Sequence, residues 1–390
     1  MANGELMVVA GEASGDLHAA DVLAELRRRR PELRAFGMGG PRLQAAGLER
    51  LFDAREISVM GIAEVLPRLP RIWRVFRALV RAARERRPAA ALLVDVPDFN
   101  LRLARKLRAM GVRVVFYVSP TVWAWRRGRV RQISRDVDRM LCILPFEEDF
   151  YREHGVHARY VGNPVVEQVP PPGAPEGFRR ALGLEPGRPT LALLPGSRPS
   201  ELHRLLPPMV ESAALLAKER PELQIVVPVA PGLERTPVEE AFAARGLRPT
   251  LVNGRAAEVV GAADVAVVAS GTATLETALM LRPMVVVYRM SALSWAVGRL
   301  LVRVAFVSLV NLLSGRRLVP ELLQSALKPE AVAEEVRRLW GPGAAREAQV
   351  EGLQALRTRL GTGPTASRVA DEVLDVMDAR AKDAGPSTPR

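Results

Sequence analysis

The sequence predicts an α/β protein built from two Rossmann-like domains facing across a cleft. Three observations lead there. At 390 residues the chain is longer than one hydrophobic core usually supports. Short, uniformly apolar runs alternate with longer amphipathic segments, the pattern of parallel strands covered by helices on both faces. Near mid-chain the cluster Pro170-Pro171-Pro172-Gly173 breaks that alternation, because it can continue neither a helix nor a central strand. The expected limits are an N-terminal domain over 1–168, a linker over 169–175 and a C-terminal domain over 176–360. A helix over 361–380 is expected to pack back on the N-terminal domain, followed by a disordered tail over 381–390.

The elements follow in order. Leu6–Ala10 reads as a strand and Asp16–Arg30 as a helix. Ala89–Asp95 is a second strand, Arg102–Met110 a helix and Val112–Tyr117 a third strand, followed by the apolar run Met140–Leu144. After the proline cluster the pattern restarts: strands at Thr190–Leu194, Gln224–Pro228, Val265–Ala269 and Met284–Tyr288, helices at Pro207–Glu219 and Thr272–Leu281. Ligands are expected at the carboxyl ends of such strands.

With 48% hydrophobic and 25% charged residues the composition is globular, which excludes a disordered or fibrous chain. A single cysteine, Cys142, excludes a disulfide scaffold and a multi-cysteine metal site, and its apolar setting suits a reduced thiol. Basic residues outnumber acidic ones 56 to 43, a net charge of +13, and they crowd into Arg68–Arg87 and Arg102–Arg139. That field favours an anionic partner: nucleic acid, phospholipid or phosphorylated substrate. The amino terminus reads without a secretory leader. The apolar stretch Pro283–Leu313 is broken by Arg289, Arg299 and Arg303, so a transmembrane helix is not expected.

Four turns at strand ends and one stripe carry candidate chemistry. Gly11-Glu12-Ala13-Ser14-Gly15-Asp16 opens a helix directly after the first strand, and its amides suit an anion; Ser14 or Asp16 as a simple helix cap remains the other reading. In Asp95-Val96-Pro97-Asp98-Phe99-Asn100, Asp98 stands where it could accept a proton from a substrate hydroxyl, or merely cap the next helix. Leu193-Leu194-Pro195-Gly196-Ser197-Arg198 offers amides, a hydroxyl and a guanidinium to a phosphate. At the equivalent place in the same domain, Ala269-Ser270-Gly271-Thr272-Ala273-Thr274-Leu275-Glu276 leaves room for a pyrophosphate, with Glu276 placed for a ribose diol. Together the last two turns predict a nucleotide-diphosphate site. Within Ile62–Val80 an apolar stripe (Leu69, Ile72, Trp73, Phe76, Leu79) runs beside arginines 68, 71, 74, 77 and 81. It suits an anionic membrane surface or packing on the sheet, and Pro67 and Pro70 should confine the regular helix to the later part.

Other candidates carry less. Val118–Arg127 groups Trp123 and Trp125 with arginines, and at least one tryptophan is expected to pack. Asp136-Val137-Asp138 lies between Arg135 and Arg139, so ion pairing rather than metal is expected. The four histidines lack metal-ligand spacing, and no cofactor is expected.

In order along the chain, GEASGD (Gly11–Asp16), GMGGPR (Gly37–Arg42), MGIAEVL (Met60–Leu66), DVPDFN (Asp95–Asn100), YVSPTVWAWR (Tyr117–Arg126), LPFE (Leu144–Glu147), LLPGSR (Leu193–Arg198), ASGTATLE (Ala269–Glu276) and VSLVNLL (Val307–Leu313) resemble the lipid-A-disaccharide synthase family. Those are inverting glycosyltransferases of the GT-B architecture. Thr121 stands where that family usually has Ser, and Asn163 where it usually has His. The resemblance implies condensation of UDP-2,3-diacylglucosamine with 2,3-diacylglucosamine 1-phosphate, without metal. It implies Asp98 as base, with Glu12 and Asp16 in reserve. Gly196, Ser197, Arg198, Ser270, Gly271, Thr272, Thr274, Glu276 and Asn311 are then expected around the donor. Ser14 and Gly15 join the stripe on the acceptor side. It further implies a cytoplasmic enzyme, peripheral on the inner membrane's anionic face and without a nucleic-acid partner, and it leaves a homodimer open. Competing readings are another UDP-sugar GT-B transferase such as the peptidoglycan N-acetylglucosaminyltransferase, a UDP-sugar epimerase, or a basic nucleic-acid-binding protein.

Overall fold

The structure, a computed structural model, describes residues 4–56, 62–125, 127–291, 295 and 304–383, with backbone alone over 62–68, 127 and 380–383. It divides into two units, Met1–Pro164 with Gly363–Arg390, and Val165–Thr362. Met60 and Gly61, Arg126 and most of the expected tail fall outside the described residues.

The first unit carries β1 (Leu6–Ala10), β2 (Ala35–Gly39), β3 (Glu49–Asp53), β4 (Ala90–Val94), β5 (Arg113–Tyr117), β6 (Arg139–Cys142) and β7 (Ala158–Tyr160). They form one sheet in the order β3-β2-β1-β4-β5-β6-β7, every neighbour parallel. β1 and β4 are buried along their whole length. Their residues alternate between two cores: Met7, Val9, Ala91 and Leu93 face one, while Leu6, Val8, Ala10, Leu92 and Val94 face the other. That division is why these strands read as unbroken apolar runs. Helix Thr365–Asp383 closes this unit, its Val369, Ala370 and Val373 lying in the second of those cores. Buried Glu372 accepts from Arg139 and Arg159 on β6 and β7.

The second unit carries β8 (Thr190–Leu194), β9 (Gln224–Val229), β10 (Thr250–Asn253), β11 (Val265–Ala269), β12 (Met284–Tyr288) and β13 (Glu321–Leu323). Their order is β10-β9-β8-β11-β12-β13, again all parallel. In each sheet the strand order reverses once, between β1 and β4 and between β8 and β11. Such switch points are where open α/β sheets bind ligands.

Several elements differ from expectation. Five short strands (β2, β3, β7, β10, β13) were not expected; β3, β7 and β10 are half-exposed and lack a clean apolar run. Helix Ile62–Arg86 runs straight through Pro67 and Pro70, held by the buried face Val75, Leu79 and Ala83. Losing two backbone donors does not end a helix whose far end is anchored in a core. Helix Pro199–Glu219 likewise starts before Pro207 and includes it. The proline run, expected as a linker, belongs to the second unit, where Pro170 and Pro171 line a cavity.

Asp138 is ion-paired with Arg108 and Arg113, and Asp136 with Arg135. Among the described residues no group of three or more His, Cys, Asp or Glu could hold a metal ion. No helix among them is long and apolar enough to cross a membrane.

Candidate functional site

In the second unit the turns after β8 and β11 flank the switch point. Between them opens a cavity of about 1040 Å³ lined by Gly196, Ser197, Arg198, Ser270, Gly271, Thr272 and Glu276, with Phe178, Pro228 and Arg255 further along. Its size lies at the top of the roughly 300–1,000 Å³ usual for small-molecule sites. Gly196 adopts φ +111°, and a Cβ there would stand 2.5 Å from Glu201 Oε2, so the turn needs glycine.

That neighbour corrects one expectation. The Ser197 and Arg198 amides donate to Glu201 Oε2 at 3.0 and 3.3 Å. The turn's own carboxylate therefore already satisfies the amides expected for a phosphate. What remains for an anion is the Arg198 guanidinium, whose side chain is 67% exposed, the exposed Ser197 hydroxyl, and the start of helix Thr272–Leu279, whose N-cap Gly271 supplies no side-chain cap. Glu276 faces the same cavity, and burial raises its carboxyl above the ordinary value. A carboxylate there gains from hydroxyl donors.

Of the expected donor ligands, Thr274 and Asn311 lie buried in the scaffold, while Ser270 lines the cavity with its hydroxyl turned into the fold. Thr274 is fully buried, its hydroxyl donating to Gly271 O at 2.7 Å. Ser270 spends its hydroxyl on Val307 O at 3.1 Å. Asn311 is 0% exposed and wholly engaged: its amide nitrogen donates to Val319 O and Glu321 Oε1, and its oxygen accepts from the Leu318 and Val319 amides. It cannot face a donor.

In the first unit the turns after β1 and β4 flank the other switch point, Ala10 lying in register with Val94. Asp16 is buried, and its carboxylate accepts from the Gly40, Arg42 and Leu43 amides at 2.6, 3.1 and 3.1 Å. It clamps the junction between β2 and helix Pro41–Ala45. A Cβ at Gly40 would meet that carboxylate at 2.5 Å, which is why the junction carries glycine there. Gly15 is buried too, whereas Glu12 and Ser14 are exposed at the start of helix Ala13–Arg29.

After β4 the backbone turns through the left-handed region at two non-glycine residues, Asp95 (φ +54°) and Val96 (φ +43°); Val118, just past neighbouring β5, does the same (φ +65°). A β-branched residue pays for that conformation, and such outliers cluster at functional sites. Asn100 braces the kink, its amide nitrogen donating to Val94 O at 3.1 Å and Asp95 O at 2.8 Å. Burial lifts the Asp95 carboxyl above its usual range, opposed by a hydrogen bond from the Val96 amide. The kink projects Asp98 from the first turn of helix Pro97–Ala109 with its side chain 62% exposed, held by an ion pair to Arg129.

Sequence reasoning passed over Glu147, the last residue of LPFE. It is 1% exposed, and its carboxylate accepts from Trp123 Nε1 at 3.0 Å and from the Leu144 amide at 3.2 Å. It thereby ties the loop after β5 to helix Pro145–Glu153, so Trp123 packs, against Phe146, while Trp125 stays exposed. Burial pushes the Glu147 carboxyl up to about 7 despite those bonds. A carboxyl whose folded value is raised favours the fold below its unfolded value, and that contribution is lost as pH rises through the folded one. From pH 4 to 8, Glu147→Gln should therefore gain up to about 3 kcal/mol of stability relative to the parent, read from urea melts across that range. A gap that stays constant with pH would show that Glu147 does not titrate there.

The basic stripe divides. Leu79 is fully buried and belongs to the core, while Ile72 and Phe76 pack against that core, Phe76 edge-on to Phe99. Helical periodicity placed them on one face, but that face is the packed one. Among the described residues of the apolar stripe, Leu69 and Trp73 (53% exposed) are the exposed ones, with Arg77 over the Trp73 ring.

In fold the chain is similar to the calicheamicin glycosyltransferase CalG4, with a TM-score of 0.60 at 17% identity over 99% of this chain and 100% of that one. It is also similar to a UDP-GlcNAc 2-epimerase of Neisseria meningitidis solved with UDP-GlcNAc, with a TM-score of 0.57 at 11% identity over 96% and 100%. The fold, two parallel-stranded sheets covered by helices, is that of the GT-B class, shared by the transferase and the epimerase alike. The family described as lipid-A-disaccharide synthetase matches residues 6–362. A lipid-A-disaccharide synthase of Myxococcus xanthus is 63% identical over 372 residues, 95% of this chain and 97% of the relative. The chain belongs to the lipid-A-disaccharide synthetase family.

Proposed function

We propose that this chain joins UDP-2,3-diacylglucosamine to 2,3-diacylglucosamine 1-phosphate, forming a β-1',6-linked tetraacyl disaccharide 1-phosphate and releasing UDP. Family membership supports the lipid A disaccharide product. The observation that carries the donor assignment is the cavity at the β8/β11 switch point, with a guanidinium and an uncapped helix start on its wall. The donor diphosphate rests on Arg198 and the Thr272 end of its helix; Glu276 accepts from the ribose hydroxyls; the nucleoside takes the stretch lined by Phe178, Pro228 and Arg255.

The acceptor's 6-hydroxyl oxygen attacks the anomeric carbon as the bond to the diphosphate breaks on the opposite face. Its proton passes to the Asp98 carboxylate, and the negative charge departs with UDP. Arg198 and the helix start stabilise that growing charge, a role in which fixed positive groups act more strongly than water does. Glu12, exposed after β1 at the β1/β4 switch point of the first unit, is the alternative base. Asp16 serves as a clamp. Incubating the protein with both acylated glucosamines and weighing the products tests the reading: a tetraacyl disaccharide 1-phosphate with stoichiometric UDP supports it, and UDP release without disaccharide contradicts it.

The same reading places the protein peripherally on the anionic cytoplasmic face of the inner membrane, through Leu69, Trp73 and the exposed arginines 71, 74, 77 and 81. An interfacial tryptophan within a basic face suits that setting. Replacing Leu69 and Trp73 with Ser should release the folded protein from vesicles containing anionic lipid; unchanged vesicle binding would remove this surface from the proposal. No step calls for a second copy of the chain, and the homodimer adds nothing to the mechanism.

A further inference from the structure

We propose that Glu321 is a positioning residue for donor binding, fixing the backbone against which Ser270 anchors the turn that opens on the cavity. The proposal rests on the donor reading above and adds a residue outside the cavity wall. Glu321 begins edge strand β13, paired with β12 at Val286. Its Oε2 accepts from the Val307 amide at 3.1 Å; its Oε1 accepts from the Ser308 amide at 3.0 Å, the Ser308 hydroxyl at 2.8 Å and the Asn311 side-chain nitrogen at 2.8 Å. Among the described residues, the four groups hydrogen-bonded to this carboxylate are all donors. Ser308 and Asn311 are fully buried, so their three bonds are not exchanged cheaply for water, and the Val307 bond beside them is part-buried.

The consequence reaches the cavity through one carbonyl. The Val307 amide is held by Glu321, and the Val307 oxygen accepts the Ser270 hydroxyl at 3.1 Å. Ser270 is held from its other side by its own amide, which donates to Val287 O at 3.0 Å on β12. Gly271 follows at φ +154°, then Thr272, where the helix and its anion-facing amides begin. The placement of those amides therefore depends on two anchors at Ser270, and Glu321 maintains one of them. A Gln at 321 keeps the shape, yet turns an N–H group towards a ring of donors, so Val307 must shift and Ser270 loses its partner.

The experiment measures UDP affinity by titration calorimetry, and the KM for each substrate, in the full chain. Glu321→Gln should weaken UDP and raise the donor KM by about tenfold while the acceptor KM stays within about twofold. Ser270→Ala should weaken UDP comparably, and adding Glu321→Gln to it should cost less than about a further twofold, because both act through one bond. Glu321→Asp, which keeps the charge, should recover part of the affinity. Unchanged UDP affinity in Glu321→Gln, equal rises in both KM values, or full additivity in the double variant would each overturn the proposal. Should Glu321→Gln fail to fold, Ser308→Ala, which removes one of the four bonds together with the cap that the Ser308 hydroxyl gives the Asn311 amide, takes the same test: a smaller loss of UDP affinity that vanishes on the Ser270→Ala background supports the proposal, and no loss, or a loss that persists on that background, overturns it. A parent protein that does not bind UDP would instead sink the donor reading itself.

Discussion

Asp98→Asn should lower kcat by about 10²–10⁴-fold, the usual contribution of a positioned general base, with the KM for the UDP-sugar little changed. The carboxylate stands exposed on the first turn of helix Pro97–Ala109, fixed by Arg129 and projected by a kink that two left-handed non-glycine residues impose. Asparagine keeps the shape while removing the proton acceptor, so a stable, inactive variant identifies base chemistry rather than support of the turn. Near-parental turnover in the purified variant would take Asp98 out of the mechanism, and the same measurement on Glu12→Gln would then decide whether its neighbour acts instead.

Arg198→Ala should cost about 10²–10³-fold in kcat/KM, the loss typical when one charge-stabilising donor is removed from a transition state. Because Glu201 already satisfies the Ser197 and Arg198 amides, the guanidinium is the one charged group this turn offers the diphosphate, beside the Ser197 hydroxyl. The same substitution should weaken UDP in titrations while leaving the melting temperature nearly unchanged, since the side chain is mostly exposed and its pairing with Glu201 spans 3.4 Å. Unaltered UDP affinity would move the diphosphate away from Arg198.

The two-sheet architecture was legible because its central strands are buried on both faces and read as uninterrupted apolar runs; β3, β7 and β10, half-exposed at or near sheet edges, carry no such mark. The turns after β1, β4, β8 and β11 were legible as strand–turn–helix junctions, and their motifs in order gave the family. What stayed hidden is which neighbour uses each hydrogen bond. Asn311, a polar residue in an apolar segment, reads as a ligand, yet every one of its bonds closes inside the fold. Glu201, Glu147 and Glu321 read as ordinary charges, and only folding shows which amides they serve. For the basic stripe, periodicity found the face without telling Leu79, inside the core, from Trp73, outside it.

The central claim is that the cavity at the β8/β11 switch point seats the donor's diphosphate, and a crystal structure of the chain with UDP tests it most directly. Both phosphates should lie within hydrogen-bonding reach of the Arg198 guanidinium and the Thr272 amide, with a ribose hydroxyl on Glu276. UDP bound elsewhere, or phosphates turned away from both groups, would contradict it.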